Sequence, residues 1–217
     1  LKAIAAHQCS VLCCTPTYAL RLGELLHAHR KDGELESMAL EKIIVAGEPG
    51  GSIPEVRDQL SELWCGAAVF DHHGMTEVGP VSVEPAGAPG CLCVVPGAHY
   101  AEVLDLESGA EVDEGGEGEL VLTTLRRGDH PLLRYRTGDL VCKRMFEFEG
   151  ERVVGFEGGI LGRIDDMVVV RGVNLYPAAV DAVLRRFPEI VEYRVVKSKE
   201  RSMSEVAVRV ELDKGAD

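Results

Sequence analysis

The stretch Asp71-His72-His73-Gly74-Met75-Thr76-Glu77 gathers two imidazoles, a hydroxyl and carboxylate chemistry into seven residues. A hydrolase would need Ser or Cys at a strained elbow with a paired base, and Thr76 beside histidine lacks that arrangement. A zinc site would draw on His72, His73, Cys91, Cys93 and His99, ligand types that suit the ion. Their spacing matches no finger or ribbon, and Cys91 and Cys93 share a strand face simply because the strand period is two. Structural or solvated roles therefore rank above zinc. A nucleoside triphosphate site would use Thr76 as a donor to phosphate and Glu77 as an oxygen ligand for Mg²⁺. The seven residues alone leave the choice open, a polar turn included.

Three further stretches bear on it. AGEPGGS, 46–52, follows an apolar run and opens a helical pattern. Its backbone N–H groups and the helix dipole suit an anion, although a glycine turn explains it equally well. It lacks the lysine of a P-loop and the spacing of a dinucleotide fingerprint. RYRTGDL, 134–140, supplies two cations and an acid able to accept two hydroxyl protons, as a ribose needs. The plain alternative is a hairpin with salt-bridged arginines. GRIDDMVVVRGVNLYP, 162–177, adds a Gly-Arg turn followed by paired acids. The order and spacing of all four stretches outweigh the plain reading of each.

Placing these residues requires a scaffold. Apolar runs at 10–14, 42–47 and 67–70 alternate with helical patterns, a β-α-β-α-β order that predicts a parallel, doubly wound sheet with right-handed crossovers. Thr15 before Pro16 marks one helix start, and Ser52 with Glu55 has capping-box spacing for the next. Ligands in such sheets sit beyond the carboxyl ends of the strands. AGEPGG and DHHGMTE are both expected there, as loops facing one crevice.

From residue 86 onward, short β-like runs between Gly, Pro and acidic turns predict an antiparallel sheet or small open barrel. After residue 160 a strand, a helix and two strands predict an α+β unit, with Val180, Val183, Leu184 and Phe187 on one helix face. The fold class expected is α/β, divided into 1–85, the α/β part of a large domain; 86–160, its β-rich subdomain; and 161–217, the start of an α+β lid.

Composition narrows the partners. With 36 acidic residues against 23 Lys and Arg, the formal charge is -13, which repels a phosphate backbone and argues against nucleic acid. No run approaches the roughly 20 apolar residues of a membrane span, and LKAIAAHQCS lacks the features of a signal peptide. The chain is read as soluble and cytoplasmic, with no membrane partner. Seven cysteines, an odd number, are expected to be reduced and mostly buried.

HHGMTE, RYRTGDL and GRIDDMVVVRGVNLYP, in this order, resemble the adenylate-forming acyl-CoA ligases. The phenylacetate-CoA ligase branch, which includes coenzyme F390 synthetase-like proteins, is the most similar. The resemblance implies ATP-dependent activation of a carboxylic acid, an aryl acid such as phenylacetate, to an acyl adenylate, then transfer to CoA. ATP/AMP, Mg²⁺ and coenzyme A are the implied cofactors. It further implies that Gly47, Glu48 and Pro49 form the adenine-side loop, that Asp71 and His73 lie at the adenine face and edge, and that Gly74 is cofactor-binding. Thr76 would contact the α-phosphate and Glu77 would hold Mg²⁺. Asp139 would hold the ribose hydroxyls, with Tyr135 in the adjoining wall. Arg163 would lie near ribose and phosphate, Asp165 at a hinge, and Gly172 in a loop approaching the pantetheine channel.

The chain also departs from the family. His73 stands where Tyr is frequent, Gly50 where an aromatic is frequent, and Pro85 and Cys93 where some relatives carry Cys and His. An upstream Ser/Thr/Gly-rich phosphate loop and a late lysine are not found within it, so a fragment inactive alone is expected. A non-catalytic AMP-binding or interaction module, or an F390 synthetase-like adenylyltransferase, is the alternative. An apolar surface left by missing parts would favour a homo-oligomer.

Overall fold

The computed structural model describes residues 2–28, 40–148, 150–170, 173–187, 189–200 and 203–213. After a short helix α1 (Lys2–Ala6), the expected alternation appears as β1 (Val11–Cys14), α2 (Pro16–Ala28), β2 (Lys42–Val45), α3 (Pro54–Leu63) and β3 (Ala68–Met75). β1, β2 and β3 are parallel and in step, with Val11 beside Lys42 and Lys42 beside Ala68.

The two predicted helix starts fared differently. α2 begins at Pro16, and Thr15 Oγ1 accepts from Tyr18 N at 3.4 Å. α3 begins at Pro54, which makes Ile53 the N-cap, without a side-chain cap bond. The Ser52–Glu55 capping box therefore does not form. Pro54 opens the helix and displaces Ser52 by one position, and the Ser52 hydroxyl donates instead to Asp71 Oδ2 at 2.5 Å.

The β-rich stretch supplies β4 (Gly79–Val83), β5 (Cys91–Val94), β6 (His99–Leu104), β7 (Glu117–Thr124), β8 (Tyr135–Phe148) and β9 (Glu151–Arg163). These join the parallel strands in a single nine-stranded sheet of order β1-β2-β3-β4-β5-β9-β8-β7-β6. One core, with Ile43, Val45, Val56 and Leu60 fully buried, lies where α2 and α3 meet the parallel strands. There Trp64 Nε1 donates to Ala19 O at 3.1 Å and ties the helices together. A second core, centred on Val81, Leu92, Leu120, Val141 and Phe156, lies in the antiparallel part.

Beyond the 3-10 turn Ile164–Asp166 come β10 (Val168–Val170), β11 (Val173–Leu175), α4 (Pro177–Leu184), β12 (Ile190–Glu200) and β13 (Met203–Leu212). The expected apolar face of α4 is only half covered. Val180 and Leu184 are half-buried, whereas Val183 and Phe187 are 53% and 47% exposed. This unit meets the rest of the chain where Arg186 Nε donates to Glu55 Oε1 at 2.9 Å, and where Tyr176 lies over Gly162. The cysteine expectation needs correction, because Cys93 alone is buried, and Cys13 and Cys65 are exposed. Among the described residues, no helix is long and apolar enough to cross a membrane.

Candidate active site

β3 performs two kinds of pairing. Its first half, through Asp71, lies parallel to β2, while His72 and His73 pair antiparallel with Val83 and Ser82 of β4. Asp71 to Met75 are thus strand rather than the expected loop. The register shifts between His73 and Gly74, and pairing continues through Met75 opposite Gly79, stopping just before Thr76. This extension carries the site residues past the end of β2 and across to the antiparallel half of the sheet.

Asp139 arrives from that half. It faces Arg163 across the β8–β9 pair, and Arg163 Nη1 donates to Asp139 Oδ1 at 3.0 Å. On the other side His73 Nε2 lies 3.3 Å from Asp139 Oδ2. The residue is only 3% exposed, so its charge relies on these two partners. Its backbone is held as well, because Asp139 N donates to Thr137 Oγ1, which donates in turn to Leu120 O. Gly138 makes the approach possible at φ +75, where a Cβ would stand 3.2 Å from Arg163 Nη2. The arginines of RYRTGDL have other duties. Arg134 pairs with Glu102, and Arg136 with Glu119, whose other oxygen accepts from Gly138 N at 3.2 Å.

The remaining wall is set by a group that the sequence reading did not single out. Arg57 on α3 donates to both Glu84 oxygens, at 2.6 and 2.8 Å, and to the carbonyls of Gly51 and Val69. Glu84 Oε2 also accepts from Asp71 N at 3.2 Å and Gly90 N at 3.4 Å. One ion pair thereby binds α3, β3 and the turns at 51 and 90. Against it, Asp71 takes Ser52 Oγ on Oδ2 and His72 N on Oδ1. Gly159 covers this pair at φ +68, where a Cβ would lie 2.8 Å from Ser52 Cβ.

Burial raises the Asp71 carboxyl above its ordinary value, and the nearby Glu84 adds to this against the lowering pull of Ser52, His72 and Arg57. A native pKa above the unfolded one gives stability that is fully present below the unfolded value and is lost as pH rises through the raised native value. Asp71→Asn removes that loss. Its thermal midpoint relative to wild type should improve as pH is raised over the range above about 4, the ordinary carboxyl value. A difference that stays constant over that range would refute the effect.

One cavity of about 140 Å³ is lined by Gly47, Glu48, Pro49, Asp71, His73, Gly74, Asp139 and Arg163, eight of the predicted residues. Ser52, Met75, Leu92, Gly158, Ile160 and Gly162 join them unpredicted. Their signal was faint, since the Gly-Gly pair at 158–159 reads equally well as a domain joint. Glu48 also serves α2, because its Oε1 accepts from Thr17 N at 2.7 Å at the helix N-terminus.

Thr76 lines an adjoining, more open cleft of about 700 Å³ with Cys14, Ile44, Ala46 and Met75. Burial, aided by Cys13 and Glu48, raises the Cys14 thiol above its ordinary value, which favours the protonated form. Glu77 is exposed beside the cleft, its backbone carbonyl accepting from Arg127 Nη1 at 2.6 Å. Tyr135 packs on the second core with Met75 and Leu132 and lines neither cavity. Asp165 is exposed in the 3-10 turn after β9. Gly172 lies outside the described residues.

Over residues 1–125 the chain matches the family described as AMP-binding enzyme, and over 172–217 the AMP-binding enzyme C-terminal domain. It belongs to that family. It is 36% identical over 210 residues to phenylacetate-coenzyme A ligase of Thermus thermophilus, covering 93% of this chain and 45% of the relative. The phenylacetate-coenzyme A ligase of Escherichia coli is 29% identical over 205 residues, covering 91% and 44%. The chain thus spans about half the length of the curated relatives it matches.

Among solved structures, 2-hydroxyisobutyryl-CoA ligase in the postadenylation state with 2-HIB-AMP aligns with a TM-score of 0.89 at 30% identity, covering 98% of this chain and 45% of that one. The same ligase in the thioesterification state, with 2-HIB-AMP and CoA, aligns with a TM-score of 0.70 at 30% identity over the same shares. The protein is similar to these ligases in fold.

Proposed function

We propose that the complete protein uses ATP to activate a carboxylic acid, an aryl acid such as phenylacetate, and passes the acyl group to CoA. Asp139 carries this reading: a buried carboxylate at a cavity edge, steadied by Arg163 and His73, suits the two hydroxyls of a ribose. In the first step a carboxylate oxygen of the acid bonds to the α-phosphorus while the bond to pyrophosphate breaks. In the second, the CoA sulfur bonds to the acyl carbon, AMP leaves, and the thiol proton is released.

Neither step needs a protein nucleophile. The chain contributes by positioning and by charge. Gly47, Glu48 and Pro49 border adenine, with Asp71, through its bonds to Ser52 and His72, organising that wall. Thr76 donates to the α-phosphate, and Arg163 offsets charge there while holding Asp139. The exposed Glu77 carboxylate, a hard oxygen ligand, would hold Mg²⁺. Mg²⁺ held there would neutralise charge on the triphosphate. Activity is attributed to the complete protein, and residues 1–217 are not proposed to turn over alone. The reading also includes a cytoplasmic location, the three-part division given above, and self-association through exposed apolar residues such as Val183 and Phe187.

Carboxylate-dependent exchange of pyrophosphate into ATP, run with aryl and short acyl acids, tests the reading. Glu77→Ala should lower exchange at least tenfold, in the range expected for a lost charge-assisted ligand. Exchange that persists unchanged would remove Glu77 from the site.

The chain aligns with the postadenylation structure at a higher TM-score than with the thioesterification structure, and the reading includes a hinge at Asp165 between the two steps. Asp165→Pro should leave exchange within about twofold of wild type and reduce thioester formation at least tenfold, because proline locks φ where the chain must turn. Equal loss in both half-reactions would count against the hinge.

A further inference from the structure

His73 shares its ring between two strands and one acid. Its Nε2 lies 3.3 Å from Asp139 Oδ2, and its Nδ1 lies 3.5 Å from Oγ of Ser82, its cross-strand partner on β4. Ser82 is fully buried, and the side chains of His73 and Asp139 are only 11% and 5% exposed. A carboxylate only accepts, so the nitrogen facing it must carry the proton. In the neutral ring Nδ1 is then the acceptor, and the Ser82 hydroxyl donates to it. The chain of donors runs one way, from Ser82 through His73 to Asp139.

Counting lone pairs extends the argument. An ionised carboxylate has about four acceptor sites, two on each oxygen. Arg163 takes one on Oδ1, and His73 Nε2 stands 3.3 Å from Oδ2, within reach of one there. One site remains on each oxygen, and opposed partners limit rotation of the group. A phenylalanine in place of His73 would supply ring surface without this donor.

We propose that His73 is a positioning residue for the sugar rather than only a neighbour of the base. Its Nε2–H fixes the Asp139 carboxylate so that the two free acceptor sites receive the 2′ and 3′ hydroxyls of the nucleotide. The inference rests on the ribose role given to Asp139 above.

Equilibrium binding of ATP and of 2′,3′-dideoxy-ATP to the complete protein separates the two roles. Wild type should prefer ATP by about 100-fold, from two hydrogen bonds to a charged acceptor. His73→Phe should lose about tenfold in ATP affinity and keep its affinity for the dideoxy nucleotide within about twofold. Ser82→Ala, which leaves the ring in place, should cost ATP about threefold and the dideoxy nucleotide nothing. Should His73→Phe fail to fold, Ser82→Ala carries the test, and an unchanged preference there overturns the inference.

Equal weakening of both nucleotides in His73→Phe would assign the ring to the base alone and overturn the inference, leaving the function standing. A wild-type protein indifferent to the two hydroxyls would remove the ribose role of Asp139, and the inference with it.

Discussion

Asp139→Ala is expected to weaken ATP binding, and with it pyrophosphate exchange at low ATP, by about 10²- to 10⁴-fold. The figure follows from losing two hydrogen bonds to a charged group, each contributing about 1.5–3 kcal/mol. Folding should suffer less. Arg163 is left without its carboxylate, but its side chain is 53% exposed and water can take over. His73 Nε2 would lose its carboxylate neighbour at the margin of a cavity. Exchange measured across ATP concentrations, beside a urea unfolding curve, separates binding from stability. A variant with normal exchange, or one that merely unfolds, would sink the assignment.

Arg57→Ala should produce the largest loss of stability. The guanidinium makes four hydrogen bonds, two of them to Glu84, and the two side chains are 15% and 4% exposed. Its removal leaves a buried carboxylate with only the longer bonds from Asp71 N and Gly90 N, and leaves the Gly51 and Val69 carbonyls short of a partner. Breaking such a pair costs about 3–5 kcal/mol. In a chain of this size that lowers the midpoint by about 6–20 °C.

The double variant Arg57→Met with Glu84→Leu offers a sharper comparison. Removing both charges for apolar groups of similar size should restore most of the stability. It should not restore ATP affinity, because Asp71 N then lacks the Glu84 carboxylate and the Gly51 carbonyl lacks the Arg57 guanidinium. Full recovery of both would reduce the pair to a structural staple. If Arg57→Ala changes stability by less than about 1 kcal/mol, even the staple is wrong.

These two sites differ in how much the sequence revealed of them. Asp139 was legible because RYRTGDL is a compact motif with a telling acid. Its partners were not. The pairing with Arg163 depends on a long hairpin whose register slips twice, between Leu140 and Val141 and between Val141 and Cys142. Counting residues cannot predict such slips. Arg57 and Glu84 resemble any exposed helix arginine and turn glutamate, and only the packing of α3 against β3 brings them together and buries them. Ser52 was misread for a related reason: its spacing to Glu55 is local, but its hydroxyl is claimed by Asp71, 19 residues on.

The amino-acid order alone determined the alternation of the first three strands with two helices, the start of α2 at Thr15 and Pro16, the turn to β structure, and the family resemblance. Each rests on contacts within a few residues or on motifs contiguous in the chain, where local sterics and hydrogen bonding decide the outcome. The tertiary structure decided that DHHGM is strand, that the parallel and antiparallel parts form one sheet, and that His73, Asp139 and Arg163 converge. Those outcomes depend on register between distant strands and on which charges lose their water, quantities set by the whole fold.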